Sequence, residues 1–550
     1  MCQKGEIQAS PIATKTPLPS TLTCIPSNTH FRVKTISITI GKFQAELFMF
    51  SPRNLPMFFL LLGITVRVVR WTLAFPLWGD EAFIAVNLLD RDYLSLLQPL
   101  RHYQIAPLGF LWSEKFSFNL LGTSELALRA LPCLAGCASL WFFWKACCRM
   151  FSWKVGLWAL SILAVSYYPI RHACEIKPYA NDLLASSVLL WIFSIHFQNK
   201  ESTTAWVLLA TLAPVLLFLS FPAVFIALGV WAGMIACAAK SWSVKKLSLR
   251  GAALLLICLA FLGHLRLVAD QQFHSEQQKH QAYWDSTFPP ANPIRFLPWF
   301  LGTHAGNMSA YPMGGKNWAS SIQAMLCMLG IMVLAKRKQW ALMVALLAPF
   351  FLNLVAAAMG RYPYGGSARV AQHLAPAICM MIALGLAACL KFIPKPKVKS
   401  TLLRSAFVVL SGIGFLFLGR DVLHPYKSEE DTLVRSMIRS SLLDTTLEKP
   451  LVITRPKEQL DPGIEWYLRT TQGYLKWMTF DEFQTKGKVL PLRWLWLAGK
   501  DEQGEYLNDI PPDMLNGINL EHLKGYYFPL GRDRTERLQA ELIQTLPENH

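Results

Sequence analysis

The chain has 550 residues, 53% of them hydrophobic and 16% charged, with a mean hydropathy of +0.31. Soluble domains run about 45–50% apolar and 25% charged. That excess, held in runs too long for ordinary core helices, excludes a disordered chain, a coiled coil, a collagen and a disulfide miniprotein, and leaves a multi-spanning membrane protein. The net charge is +18, yet the residues from Asp421 onward carry 16 basic against 21 acidic groups. A basic membrane body therefore precedes a mildly acidic soluble tail. The basic residues sit in short loops between apolar runs, so topology accounts for them better than nucleic acid does.

In chain order, residues 1–52 are polar and rich in Ser, Thr and Pro. They lack the basic–apolar–small pattern of a secretory signal and read as a cytoplasmic, largely disordered extension. Met49 and Met57 offer alternative starts. Residues 53–420 form the membrane domain. A hydrocarbon core needs about 20 apolar residues per helix, and runs near that length predict eleven spans: 57–77, 127–148, 154–170, 179–197, 204–219, 221–239, 251–268, 321–336, 339–358, 371–392 and 402–420. With the N-terminus inside, the inner loops are CCRMFSWK, QNKES, KSWSVKKLSLR, AKRKQ and KFIPKPKVKS, and all but QNKES are clearly basic. The positive-inside rule thus gives N-in, C-out.

Two outer segments are long. Residues 78–126 hold two amphipathic stretches that read as helices lying in the membrane interface. Residues 269–320 read as a polar loop with aromatic ends. The tail, 421–550, has β-like runs such as LVITR and RWLWLAG alternating with helical patterns such as RTERLQAELIQTL. It is expected to fold as a small extracytoplasmic α/β domain. Most of the 12 cysteines lie in or beside apolar runs, where a thiol packs as a small hydrophobe, and no disulfide framework is visible.

Chemistry concentrates at a few places. Asp80 and Glu81 follow the first span directly, and a carboxylate beside low-dielectric lipid makes a general base. The alternative is a polar cap on the next helix. Arg67 lies inside the first span, where a cation usually faces a partner or a wet cavity; Arg70, nearer the end, can snorkel. Arg171 and Lys177 in one short outer loop, and Arg361 and Arg369 in another, run against the charge trend of outer loops. Together they could ring a phosphate, or else meet solvent and lipid headgroups. Asp90-Arg91-Asp92 is a D-x-D pair of the kind that holds a metal in soluble nucleotide-sugar transferases, but no nucleotide fold surrounds it. His102, His274, His280 and His304 form no zinc set.

These residues, in this order, resemble the GT-C integral-membrane glycosyltransferases, which include protein O-mannosyltransferases and lipid A aminoarabinose transferases. The likeness runs from Arg67 to Pro376. It takes in Asp80-Glu81-Ala82, Gln104-Ile105-Ala106-Pro107-Leu108, the stretch from Gly122 through Arg129 to Pro132, and Glu175-Ile176-Lys177-Pro178-Tyr179 with Asp182. Tyr283-Trp284 to Phe288-Pro289 and Tyr362-Pro363 through Arg369 complete it. The resemblance implies a sugar donor on a polyprenyl phosphate, transfer on the outer face of the plasma (inner) membrane to a protein, lipid or glycan hydroxyl, and Asp80 as the base. It also implies donor-phosphate contacts from Arg67, Arg171, Lys177, Arg361 and Arg369, and substrate contacts from Gln104, Glu175, Tyr179, Asp182 and Tyr362. A divalent metal is the one cofactor left open. Aminoarabinose transferases carry a Lys just before the proline of the first outer loop; here Gln104-Ile105-Ala106 stands there. A transporter or flippase of a lipid-linked sugar is the competing reading, as it would use the same cations.

Overall fold

The structure, a computed structural model, describes residues 54–200, 202–237, 244–269, 272 and 284–427. Beyond these it describes 431, 432, 435, 436, 438, 451–454, 462–471, 476–479, 493–497, 520–530 and 536–545. The extension 1–52, His274, His280 and Tyr283 lie outside the described residues.

Among the described residues, seven helices are long and apolar enough to cross a membrane: Leu55–Thr72, Glu125–Met150, Tyr179–Gln198, Leu247–Val268, Trp340–Ala358, Gln372–Phe392 and Pro396–Leu423. Four shorter apolar helices, Trp153–Ala164, Thr203–Leu219, Ala223–Cys237 and Ser321–Lys336, lie where the remaining expected spans fall. We number the helices α1 (Leu55–Thr72), α2 (Gly79–Asp90), α3 (Leu108–Leu121), α4 (Glu125–Met150), α5 (Trp153–Ala164), α6 (Tyr167–His172), α7 (Tyr179–Gln198), α8 (Thr203–Leu219), α9 (Ala223–Cys237) and α10 (Val244–His264). They continue with α11 (Pro293–Ala305), α12 (Ser321–Lys336), α13 (Trp340–Ala358), α14 (Ala375–Cys389), α15 (Pro396–Leu423) and α16 (Pro462–Thr470).

Lipid tails are as apolar as leucine, so helices in a bilayer associate through close packing of small residues. α12 and α14 do so reciprocally. A Cβ on Gly330 would collide with the Met381 carbonyl, and one on Gly385 with the Leu326 carbonyl. The far side of α12 exposes Ile322, Met325, Met328 and Met332, a face suited to lipid. Aromatics close the interior: Trp158 of α5 stacks on Phe407 of α15 at 4.4 Å between centroids.

Two expected spans break. The run 57–77 is helical only to Thr72, and Pro76 helps keep residues 73–78 out of the helix. Backbone carbonyls freed near the membrane need partners, and Arg129 supplies them, donating to the Phe75 and Pro76 carbonyls. The run 154–170 is interrupted between α5 and α6, at Val165 and Ser166. There Arg67 donates to the Ala164 carbonyl at 3.1 Å, and the Tyr167 amide to Pro312 O at 3.0 Å.

Between α1 and α4 lie two helices, α2 and α3, as the amphipathic pattern predicts. Lys115, on α3, donates to the Leu88 carbonyl of α2 at 2.7 Å and stands over the Phe118 ring. In the tail, five strands, β1 (Leu451–Thr454), β2 (Lys476–Thr479), β3 (Arg493–Leu497), β4 (Leu520–Leu530) and β5 (Glu536–Thr545), form one sheet in the order β2-β1-β3-β5-β4. β1 runs parallel to β2 and β3, while β5 runs antiparallel to β3 and β4. Of the stretch RTERLQAELIQTL, expected as helix, the described residues 536–545 form strand β5. Leu538, Ala540 and Leu542 satisfy a period of two as well, and neighbours on both edges supply the ladder that decides it.

Candidate active site

The site grows from the start of α2. Trp78 is extended, the helix begins at Gly79, and Asp80 and Glu81 occupy its first turn, where carboxylates are favoured by the free N–H groups. The two acids then part. Glu81 is fully buried. Arg129 grips it with both ends of its fork (Nε to Oε1 2.9 Å, Nη2 to Oε2 2.6 Å), and the Ile176 amide donates to it at 2.9 Å. The Trp78 amide adds a longer bond of 3.3 Å. Glu81 thus ties α2 to α4 and to the 171–178 loop, and has no face left for a substrate.

Asp80, one residue earlier, points the other way. Its side chain is 25% exposed, and its Oδ2 lies 2.6 Å from Arg369 Nη1. Arg369 reaches it from a loop shaped by glycine. Gly360 and Gly365 have φ of 66° and 63°, a region that disfavours other residues. A Cβ on Gly366 would strike Thr287. The Tyr364 amide bonds Thr287 O at 3.0 Å, and Asn307 donates to the Gly366 carbonyl at 2.8 Å. The Arg369 guanidinium then lies over the Trp284 ring at 5.1 Å.

Lys177 stands at the same place. Its Nζ donates to Gln104 Oε1 at 2.7 Å. Burial pushes its pKa down to about 8, an effect strengthened by Arg369 and opposed by Asp80, Glu175 and Glu81. Tyr179 lies within reach of the charges of both Asp80 and Arg369, and Tyr362 is close to Asp182 and Tyr179. The Tyr362 hydroxyl donates to the Val370 carbonyl at 3.1 Å. Asp182 is buried in the first turn of α7, and its Oδ1 has no hydrogen-bond partner among the described residues.

Other expected members sit elsewhere. Arg67 is fully buried and donates to the Gly63 carbonyl at 2.8 Å and to Ala164 O, so it caps a broken helix rather than facing an outer cavity. Its Nε and Nη2 are buried with no hydrogen-bond partner among the described residues. Arg171 donates to the Tyr167 hydroxyl at 2.6 Å and lies 3.5 Å from Glu175, in a neighbouring cavity. Arg361 is exposed at the loop entrance, its backbone N–H closing the end of α13 on Ala356 O. Glu175 is buried against His172 Nδ1 at 2.7 Å. Burial pushes its pKa up, but the His172 hydrogen bond and the Arg171 and Lys427 charges outweigh that and hold it well below the usual carboxylate range. Glu175 therefore orients its own loop.

Both carboxylates of the D-x-D pair have protein partners. Asp90 is bound by Arg469, and Asp92 accepts from the Ser95 amide at 2.7 Å. Among the described residues, no three His, Cys, Asp or Glu side chains are grouped to hold a metal ion. Two members had no local signal. The Trp78 indole N–H is buried without a partner among the described residues, and Lys427 stands over that indole, near enough to Asp80 to feel its charge. Lys427 comes from beyond the last apolar helix, 347 residues from Asp80 in sequence, so only folding brings it in.

No family model and no curated protein matches the chain. Among solved structures it is similar to ArnT from Cupriavidus metallidurans, both in the apo state and bound to undecaprenyl phosphate. In each case the TM-score is 0.51 and the identity 12%, over 88% of this chain and 97% of that one. An oligosaccharyltransferase from Archaeoglobus fulgidus, tethered with an acceptor peptide, matches with a TM-score of 0.44 and 11% identity over 76% of this chain and 63% of its own. The ArnT likeness, at this identity, shows a shared fold over most of this chain.

Proposed function

We propose that this chain is a polytopic membrane glycosyltransferase that moves a sugar from a polyprenyl-phosphate donor to an acceptor hydroxyl on a protein, lipid or glycan. The carrying observation is the 2.6 Å contact between partly exposed Asp80 and Arg369, with buried Lys177 beside them. A carboxylate next to two cations matches a reaction that needs a base at one end and a phosphate at the other. Asp80 removes the acceptor proton as the acceptor oxygen attacks the anomeric carbon. The bond from that carbon to the phosphate oxygen breaks, and the phosphate leaves with the electron pair. Lys177 and Arg369 stabilise the charge that grows on it. Arg369 has to exchange Asp80 for the donor phosphate, which frees the carboxylate to act as base. Gln104 orients Lys177, while Tyr179, Asp182 and Tyr362 line the sugar side. ArnT, whose fold this chain shares, has been solved with undecaprenyl phosphate bound, which supports the donor class. The basic inner loops support a reaction on the extracytoplasmic side of the plasma membrane, with the tail as an outer domain.

The test is reconstitution of the full chain in vesicles with radiolabelled polyprenyl-phosphate sugars and a membrane extract as acceptor. A new glycosidic bond is expected. Label that crosses the bilayer without forming one would assign the protein to transport instead.

A further inference from the structure

A cationic cavity opens beside the Asp80 site, and the transfer step proposed above makes no use of it. It measures about 280 Å³ and lies where α1, α6 and the end of α15 meet. That is at the small end of ligand pockets, roughly 300–1,000 Å³, and suits a headgroup better than a whole sugar lipid. Its walls carry Arg70, Arg171, Arg420 and Lys427, with Asp421 and Tyr167 between them. Asp80, Lys177 and Arg369 do not line it.

The charges there do not balance. Asp421 is taken by Arg70, which also donates to the Pro425 carbonyl at 3.2 Å. Glu175 faces Arg171 at 3.5 Å but is shared with His172. Arg420 lies over the Tyr167 ring at 5.1 Å and Lys427 over Trp78. Among the described residues, no carboxylate is within ion-pair distance of either. Two cations in excess, beside the fork of Arg171, form a cradle for an anion with several oxygens. Neighbouring cations repel one another unless an anion sits between them.

We propose that this cavity is a second anion site that holds a phosphate group, bordering the site at Asp80, with Lys427 between the two. The group belongs either to an anionic phospholipid headgroup, since α1 and α15 are both membrane helices ending at the cavity, or to free phosphate. The proposal does not depend on the transferase reading. The same cations would serve a protein that transfers nothing.

The experiment uses the full chain in detergent micelles with Lys177→Gln, which removes a cation facing Asp80. Inorganic phosphate is titrated against chloride at matched ionic strength, and Tm is read. Phosphate is expected to raise Tm in this background. Adding Arg420→Gln and Lys427→Gln, both at exposed positions, is expected to weaken the effect roughly tenfold or more. Arg420→Lys with Lys427→Arg keeps the charges and should keep the response. In a second arm, nanodiscs of phosphatidylcholine are compared with nanodiscs containing phosphatidylglycerol. A Tm rise with phosphatidylglycerol that Arg420→Gln/Lys427→Gln removes assigns the occupant to a lipid headgroup. A rise with inorganic phosphate alone assigns it to the free anion. No rise in either arm, or a rise that survives the loss of both cations, overturns the site.

Discussion

At the scale of the residue, two adjacent carboxylates have opposite fates because successive positions in a first helical turn face different directions. Glu81 meets Arg129 and a backbone amide; Asp80 meets the cavity and Arg369. Asp80→Asn should therefore cut transfer about 10²–10⁴-fold, as loss of a general base does, while purified yield and Tm stay near wild type. Glu81→Gln should do the reverse. It leaves Arg129 buried beside a neutral amide, a loss of about 3–5 kcal/mol by the usual scale for broken buried pairs, seen as poor expression and a low Tm. Lys177 gives the pH dependence. Its folded pKa, about 8, lies below its ordinary value of 10.5, so the charged form is disfavoured by folding. That penalty applies below pH 8 and disappears as pH rises from 8 towards 10.5, so the group adds no stability in acid. Its attraction for phosphate behaves oppositely and is lost as the proton leaves. kcat/KM for the donor should fall above pH 8 in the wild type and stay flat through that window in Lys177→Arg.

At the scale of the element, helices approach as closely as their glycines permit. Gly330 and Gly385 let α12 and α14 meet backbone to backbone, so Gly330→Leu must push the pair apart. Overpacking of this kind costs about 1–3 kcal/mol or more; a lowered Tm in micelles would show it, and an unchanged Tm would mean the helices do not touch there. The 360–369 loop works by the same economy of space. Gly366→Val would drive the loop off Thr287 and carry Arg369 away from Asp80. Transfer should then fall with KM for the donor rising, and Tm changing less than in Gly330→Leu.

At the scale of the whole molecule, the tail reaches back to the membrane domain through α16. Glu465 is fully buried and accepts from both ends of the Arg101 fork at 2.9 Å and from Arg469 at 2.8 Å. The Tyr467 hydroxyl accepts from the Leu77 amide at 2.9 Å and donates to Glu125 at 3.2 Å. Arg435 binds Glu125 as well, at 3.0 Å. Leu77 immediately precedes the Trp78–Asp80 turn, so α16 braces the segment that presents Asp80. A double-mutant cycle on Arg101→Ala and Glu465→Ala should return a coupling of about 0.5–3 kcal/mol in stability. Additive losses would mean that the tail rests on the membrane domain without holding it.

The positions of the apolar helices, the two amphipathic segments after the first span and the Asp80 neighbourhood were readable from the chain, because hydrophobic run length and charge placement are local properties that the bilayer enforces. Run length alone could not register the breaks after Thr72 and Ala164. Their freed carbonyls are satisfied by Arg129 and Arg67, which lie far away in sequence. For the same reason a cation's address was visible but not its partner: Arg67 went to a helix end, Arg171 to the second cavity, and Asp90 to Arg469 in the tail. Strand β5 shows the limit for secondary structure, since its spacing fits two periods and its neighbours choose between them. The sequence by itself determined a polytopic membrane protein with an acid beside cations. The tertiary structure alone decided that Asp80 rather than Glu81 meets Arg369, and that Lys427 joins them, because the partner that holds a charge is set by which distant segments the packing brings together.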